Sequence, residues 1–233
     1  CLLGWVSMLI IGVSYQVIPM FYVAESYPNF YTKYAIKVIF ALLVSLGFAL
    51  FIKNNQLYLL LKVFAALMLA DYAVTTVSLL LNRKRKITDT TTYYWYFAMS
   101  MLLAAVVVSL ANEWLHISQL NTLAVVIFIY GFAMSVITGM MYKIVPFLVW
   151  FHLTNEGFIN MPTMNELIGK KTTTVQFALH IVALLSLATL IFDSSFQMAA
   201  GMAIVLSNAL LLFNLIKGSR IYFTKQGLEK MNF

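Results

Sequence analysis

Residues 2–21 read LLGWVSMLIIGVSYQVIPMF and residues 129–148 read IYGFAMSVITGMMYKIVPFL. Both fit G-[WF]-x6-G-x2-Y-x3-P without a gap. The first copy supplies Gly4, Trp5, Gly12, Tyr15 and Pro19, the second Gly131, Phe132, Gly139, Tyr142 and Pro146, at an offset of 127 residues (Gly4 to Gly131). Such a long repeat inside a very apolar chain predicts a membrane protein built from duplicated helix groups.

Composition agrees. Of 233 residues, 62% are hydrophobic and 10% charged, and the mean hydropathy is +0.89. Soluble domains carry roughly 25% charged residues. Seven apolar runs reach the length that crosses a hydrocarbon core about 30 Å thick: residues 1–21, 37–52, 57–81, 94–112, 120–150, 173–192 and 196–216. The second is long enough if it starts near Lys33. The expected fold is an all-α, polytopic bundle. The first helical repeat should end near residue 90 (1–90), and a second four-helix repeat with a C-terminal tail should fill 91–233. Both motif helices should run in the same direction. The chain opens Cys-Leu-Leu-Gly with no basic flank, so this is not a signal peptide, and a preceding N-terminal part is expected to be missing. With one cysteine, Cys1, there is no internal disulfide and no C-x-x-C metal spacing.

The connections alternate in charge. One side holds Lys33, Lys37, Arg83, Lys84, Arg85, Lys86, Lys170, Lys171, Lys217, Arg220, Lys225 and Lys230; the other holds Lys53, Glu113, His116 and Asp193. The positive-inside rule puts the 83–86 loop and the C-terminus in the cytoplasm. Anionic lipid headgroups account for the net charge of +7; the expected partners are the bilayer and other membrane subunits, with no nucleic acid. Tyr22, Tyr27, Tyr31, Tyr93, Tyr94, Trp95, Trp114 and Trp150 fall where an aromatic belt belongs. Pro19 and Pro146 should kink or end their helices.

At about 100° per residue, Gly4, Gly12, Tyr15 and Pro19 fall within an arc of roughly 80°. That face packs closely on a neighbour, or meets a flat cofactor or a polar path. Extending the arc takes in Gln16 in one copy and Lys143 in the other. An ammonium at mid-span costs about 2.5–3.5 kcal/mol. Lys143 lies roughly 10 Å inside Trp150, so it should snorkel to the cytoplasmic edge or pair with an acid. Asp71 is the acid expected inside a span, on a polar stripe with Thr75, Ser78 and Asn82. His180 shares a face with Thr173 and Gln176. Asp71 and His180 should both point into the bundle, as hydrogen-bonding glue or as a polar path through Asp71, Thr75, Ser78, Lys143 and Gln176. His116 and His152 lie at opposite membrane edges, so no metal centre is expected. A retinal Schiff base is excluded, because the last span has Ser207 and Asn208 at its middle and its lysine, Lys217, at its end.

The motif helix resembles the G-x7-G-x2-Y…P helix of the heme-copper oxidase catalytic subunit, the cbb3 type and its distant relatives included. The quasi-repeated four-helix units are similar too. KIVPFLVWFH at 143–152, followed by Met161-Pro162-Thr163-Met164, resembles some uncharacterised bacterial membrane proteins more closely. The resemblance implies an inner-membrane protein, redox or sensory, with at most one heme and with His180, Tyr15 and Tyr142 as the candidates near it. In that family the heme-ligating histidines stand a few residues before the first glycine. Here that position falls upstream of Cys1 in one copy and on Leu123-Ala124-Val125-Val126 in the other. Oxygen reduction needs about six histidines and the chain has three, so no catalytic residue carries over. The other reading is a multi-pass permease with an intramembrane polar path.

Overall fold

A computed structural model describes residues 2–84, 86, 88–158 and 162–225. Cys1, Arg85, Met161, Lys230 and the rest of the 226–233 tail lie outside the described residues. The helices are α1 (Ser7–Tyr22), α2 (Asn29–Phe51), α3 (Asn55–Leu81), α4 (Thr90–Leu115), α5 (Ser118–Val126), α6 (Met134–Asn155), α7 (Met164–Leu167), α8 (Lys170–Phe192) and α9 (Gln197–Thr224). A π-helical segment, Leu2–Val6, leads into α1, and another, Ile127–Ala133, joins α5 to α6. There is no strand among the described residues. Seven stretches are long and apolar enough to cross a membrane, with α5 and α6 acting as one span, Ser118–Asn155. The chain is a multi-pass, all-helical membrane protein.

Its surface is inverted relative to a soluble protein. Trp5, Phe51, Trp114 and Phe223 are each more than three-quarters exposed, while Ser7, Thr76, Ser135, Gln176, His180, Ser207 and Asn214 are buried. Lipid solvates the apolar side chains, and the interior must satisfy the polar ones. Helix ends follow local chemistry. Asn54 caps α3 by accepting from the Leu57 amide at 3.0 Å. Thr163 and Glu166 form a capping box on the single turn of α7. Val23 and Lys225 end α1 and α9 in the left-handed conformation.

Both motif prolines sit inside their helices, and neither ends one: α1 continues to Tyr22 and α6 to Asn155. Proline cannot donate to the carbonyl four residues back. In a Y-x3-P motif that carbonyl belongs to the tyrosine, Tyr15 or Tyr142. The π segments also recur in register, each containing the motif's first glycine, Gly4 or Gly131.

Packing divides the helices into two compact units. One comprises residues 1–87 and 96–134, the other residues 88–95 and 135–233. In the first, α1, α2 and α3 pack together, and the Lys84 amide donates to the Val23 carbonyl at 3.1 Å, joining the two loops at that end. Arg83 is buried there, donating to the Leu80 carbonyl at 2.6 Å and the Tyr96 hydroxyl at 3.1 Å. In the second, α8 and α9 form a hairpin against α6. A bond between Thr90 and Thr173 (3.1 Å) and an ion pair of Lys225 with Glu156 bring the start of α4, the end of α6, the start of α8 and the end of α9 to one face.

Candidate functional site: a buried polar column in the second unit

The second unit holds the densest set of interior polar contacts, and its sequence explains the placement. Asp89-Thr90-Thr91-Thr92 is an N-cap run. Asp89 accepts from the Thr92 amide (3.0 Å), the Thr91 hydroxyl (2.6 Å) and the Thr92 hydroxyl (3.0 Å) with one oxygen, and from the Lys143 ammonium with the other. Burial pushes the Asp89 carboxyl up. The Lys143 charge, its hydrogen bond and the threonine donors outweigh that and leave it below the usual range. Lys143 thus reaches toward the loop end of its span and is neutralised there. Its partner is Asp89, which the sequence reading passed over; Asp71, the acid named as its possible partner, belongs to the other unit. The signal is the cap run itself, Asp89-Thr90-Thr91-Thr92, just ahead of the fourth apolar run.

From this pair the contacts lead inward along α8. Thr90 meets Thr173 and Thr174 at 3.1 and 3.2 Å. One turn on, the Tyr94 hydroxyl donates to Gln176 Oε1, and Gln176 Nε2 donates to Ser207 Oγ at 3.3 Å. A further turn on, His180 Nε2 shares a hydrogen bond with Ser135 Oγ at 2.8 Å, and its ring meets Tyr94 edge-on, with centroids 5.6 Å apart. His180 lies ten residues into α8, about 15 Å from its Lys170 end. Ser135 sits just beyond the π segment of the motif helix, which brings the column to that irregular turn. π segments often mark functional positions. Beside the column Asn214 donates to the Tyr142 hydroxyl at 2.9 Å, while Asn214 Oδ1 is buried without a partner among the described residues.

Gly139 makes the close approach possible. A Cβ there would stand 2.8 Å from Tyr94 Cβ and 3.6 Å from the Thr91 carbonyl. The motif glycine therefore brings α4, with Tyr94, against the motif helix.

In the first unit the expected stripe fails. Asp71 is exposed, accepting from the Tyr31 hydroxyl; Thr75 is half-buried at 3.3 Å from that hydroxyl, and Ser78 is exposed. The inward face of α3 is offset by about one residue, through Leu69, Tyr72, Ala73, Thr76 and Leu80. Small and apolar residues set that rotation, and the polar stripe lies roughly 100° away. Thr76 is the buried hydroxyl, 2.8 Å from that of Tyr27. Burial raises the Tyr27 phenol above its ordinary value, against the pull of its hydrogen bonds. The Tyr15 ring packs on Tyr27 at 4.8 Å, and its hydroxyl is buried without a partner among the described residues. The sequence reading also missed Lys62, inside α3, which donates to the Ser109 carbonyl at 3.1 Å and pairs with Glu113.

The three histidines stand on different elements: His116 in the turn after α4, His152 on α6 and His180 on α8. His180 Nε2 is engaged by Ser135. His152 donates from Nδ1 to the Leu148 carbonyl at 2.8 Å and packs on Phe151 and Tyr222. No group of three His, Cys, Asp or Glu side chains converges among the described residues. The Tyr142 hydroxyl accepts from Asn214, and the Tyr15 ring packs on Tyr27. No family model matches the chain, and no curated protein or solved structure is similar to it.

Proposed function

We propose that this chain is a permease-type membrane protein whose second unit carries protons, or a small polar solute, along the column from Asp89 and Lys143 to His180. The carrying observation is that three consecutive turns of α8 present Thr173, Gln176 and His180 to hydrogen-bonding partners within the buried interior, with titratable groups at both ends. Intramembrane ionisable groups are costly and mark ion or proton routes by default. An imidazole can accept a proton on one nitrogen and release it from the other, and hydroxyl and amide groups lie along the way from His180 to Asp89.

The test is proton flux in proteoliposomes bearing the full-length protein, with a potassium diffusion potential and an internal pH dye. Flux should fall at least tenfold in His180→Ala and in Lys143→Met. Equal flux in empty liposomes and in those with the wild-type protein counts against a proton route.

The second reading is a redox or sensory relative of the heme-copper oxidase subunit. Its support is the in-register recurrence of motif and π segment, which fits duplicated helix groups. A Soret band in the visible spectrum of the full-length protein favours that reading; its absence favours the permease.

A further inference from the structure

A cavity of about 560 Å³ lies within the first unit, walled by α2, α3, α4 and the α5 span. That is within the range of small-molecule sites, roughly 300–1,000 Å³. Its polarity is graded. Tyr58, Lys62, Ser109 and Asn121 line it, and all lie within about eight residues of the helix ends at the 52–54 and 116–117 turns. Farther from those turns it is lined by Leu43, Leu69, Ala105 and Phe128. At 1.5 Å per residue, Leu69 lies about 21 Å along α3 from that end, against about 10 Å for Lys62.

The head of an occupant is specified by Lys62. Its ammonium has three donors. Two are taken by the Ser109 carbonyl and Glu113, leaving one among the described residues. Glu113 neutralises the charge but does not line the cavity. The wall therefore offers a hydrogen-bond donor with its charge already compensated. Glu113 would oppose a carboxylate or phosphate, and Lys62 would oppose an amine. An uncharged acceptor such as a hydroxyl or ester carbonyl fits without either penalty. The apolar part suits one acyl chain.

We propose that this cavity binds a neutral, single-chain amphiphile with a hydroxyl or ester head at Lys62 and its chain along Leu69 and Phe128. The probe is a diazirine-bearing monooleoylglycerol, photo-crosslinked to the full-length protein in nanodiscs and mapped by peptide mass spectrometry. Labelling of peptides around residues 58–69 and 105–128 should saturate, and unlabelled monooleoylglycerol should compete at least tenfold better than oleate. Lys62→Met should weaken apparent affinity about tenfold. Ala65→Phe and Val106→Phe each fill the cavity and should abolish saturable labelling; either one that retains the wild-type elution volume and helicity suffices. Labelling that never saturates, oleate competing better than monooleoylglycerol, or unchanged labelling in a folded cavity-filled variant overturns the proposal. So does an unchanged affinity in Lys62→Met.

Discussion

Lys143 of the second motif helix is bonded to Asp89, the residue that caps α4, so an intramembrane cation is neutralised by a helix cap and not by a neighbour at its own depth. The pair is only partly exposed, 18% for the lysine side chain and 30% for the aspartate. Removing one partner strands the other. Lys143→Met should cost roughly 1–2 kcal/mol, below the 3–5 of a fully buried pair because both side chains keep part of their surface exposed. Lys143→Met combined with Asp89→Asn should recover part of the loss. A double-mutant cycle by thermal unfolding in detergent checks this; strictly additive effects would mean that the contact contributes nothing.

The same carboxylate sets a pH dependence. Asp89 has a lower pKa folded than unfolded, so its contribution is complete above the unfolded value of about 3.9 and disappears as pH falls through the folded value. Melting temperature should therefore drop, as pH falls below the ordinary carboxylate value, more steeply in wild type than in Asp89→Asn. Parallel curves for the two proteins would remove Asp89 as the source.

Two motif glycines, Gly139 and Gly12, and Gly47 of α2 should rank by what a methyl group would meet. At Gly139 it meets Tyr94 Cβ at 2.8 Å, a contact that needs the helices to separate; at Gly12 it meets the tip of Ile36 at 3.3 Å; at Gly47 it meets nothing within 4 Å. Gly139→Ala should destabilise by about 1–3 kcal/mol. Gly12→Ala should be near neutral. Gly47→Ala should gain up to about 1 kcal/mol from helix propensity. Thermal unfolding gives the order, and Gly139→Ala ranking at or above Gly47→Ala would contradict the close packing of α4 on α6.

Seven spans were legible because hydrophobic length is a local property of the sequence. The 118–155 span is the long one that residues 120–150 indicated, and α2, α4, α8 and α9 only extend the expected runs at one or both ends. Rotation about a helix axis was not legible. α3 is apolar almost all round, so its few polar residues do not reveal which face is inward, and Asp71 took the exposed side while Thr76 took the core. His180 was readable because α8 repeats a polar residue at 173, 176 and 180, and that face is buried. Lys62 and Asp89 were missed for opposite reasons: one is a lone cation near a helix start, the other an ordinary cap until Lys143 arrives from 54 residues away.

Asn54 and Asn82 stand at opposite ends of α3, 27 residues of helix apart. If the Lys/Arg-rich side faces the cytoplasm, a cysteine at Asn54 must react with an impermeant maleimide added to intact cells, and one at Asn82 must react only after permeabilisation. Cys1 is the one cysteine in these 233 residues, so Cys1→Ser, with labelling of that cysteine-free parent subtracted, sets the background. Both asparagines sit at helix ends. Asn54→Cys loses an N-cap worth about 1 kcal/mol, whereas Asn82 lends only a long side-chain bond to Ser78 at 3.4 Å. A neighbouring site, Lys53→Cys, avoids the cap and should label like Asn54→Cys. Labelling of Asn82→Cys in intact cells, with Lys53→Cys protected, would reverse the orientation and put the Asp89–Lys143 end of the polar column outside.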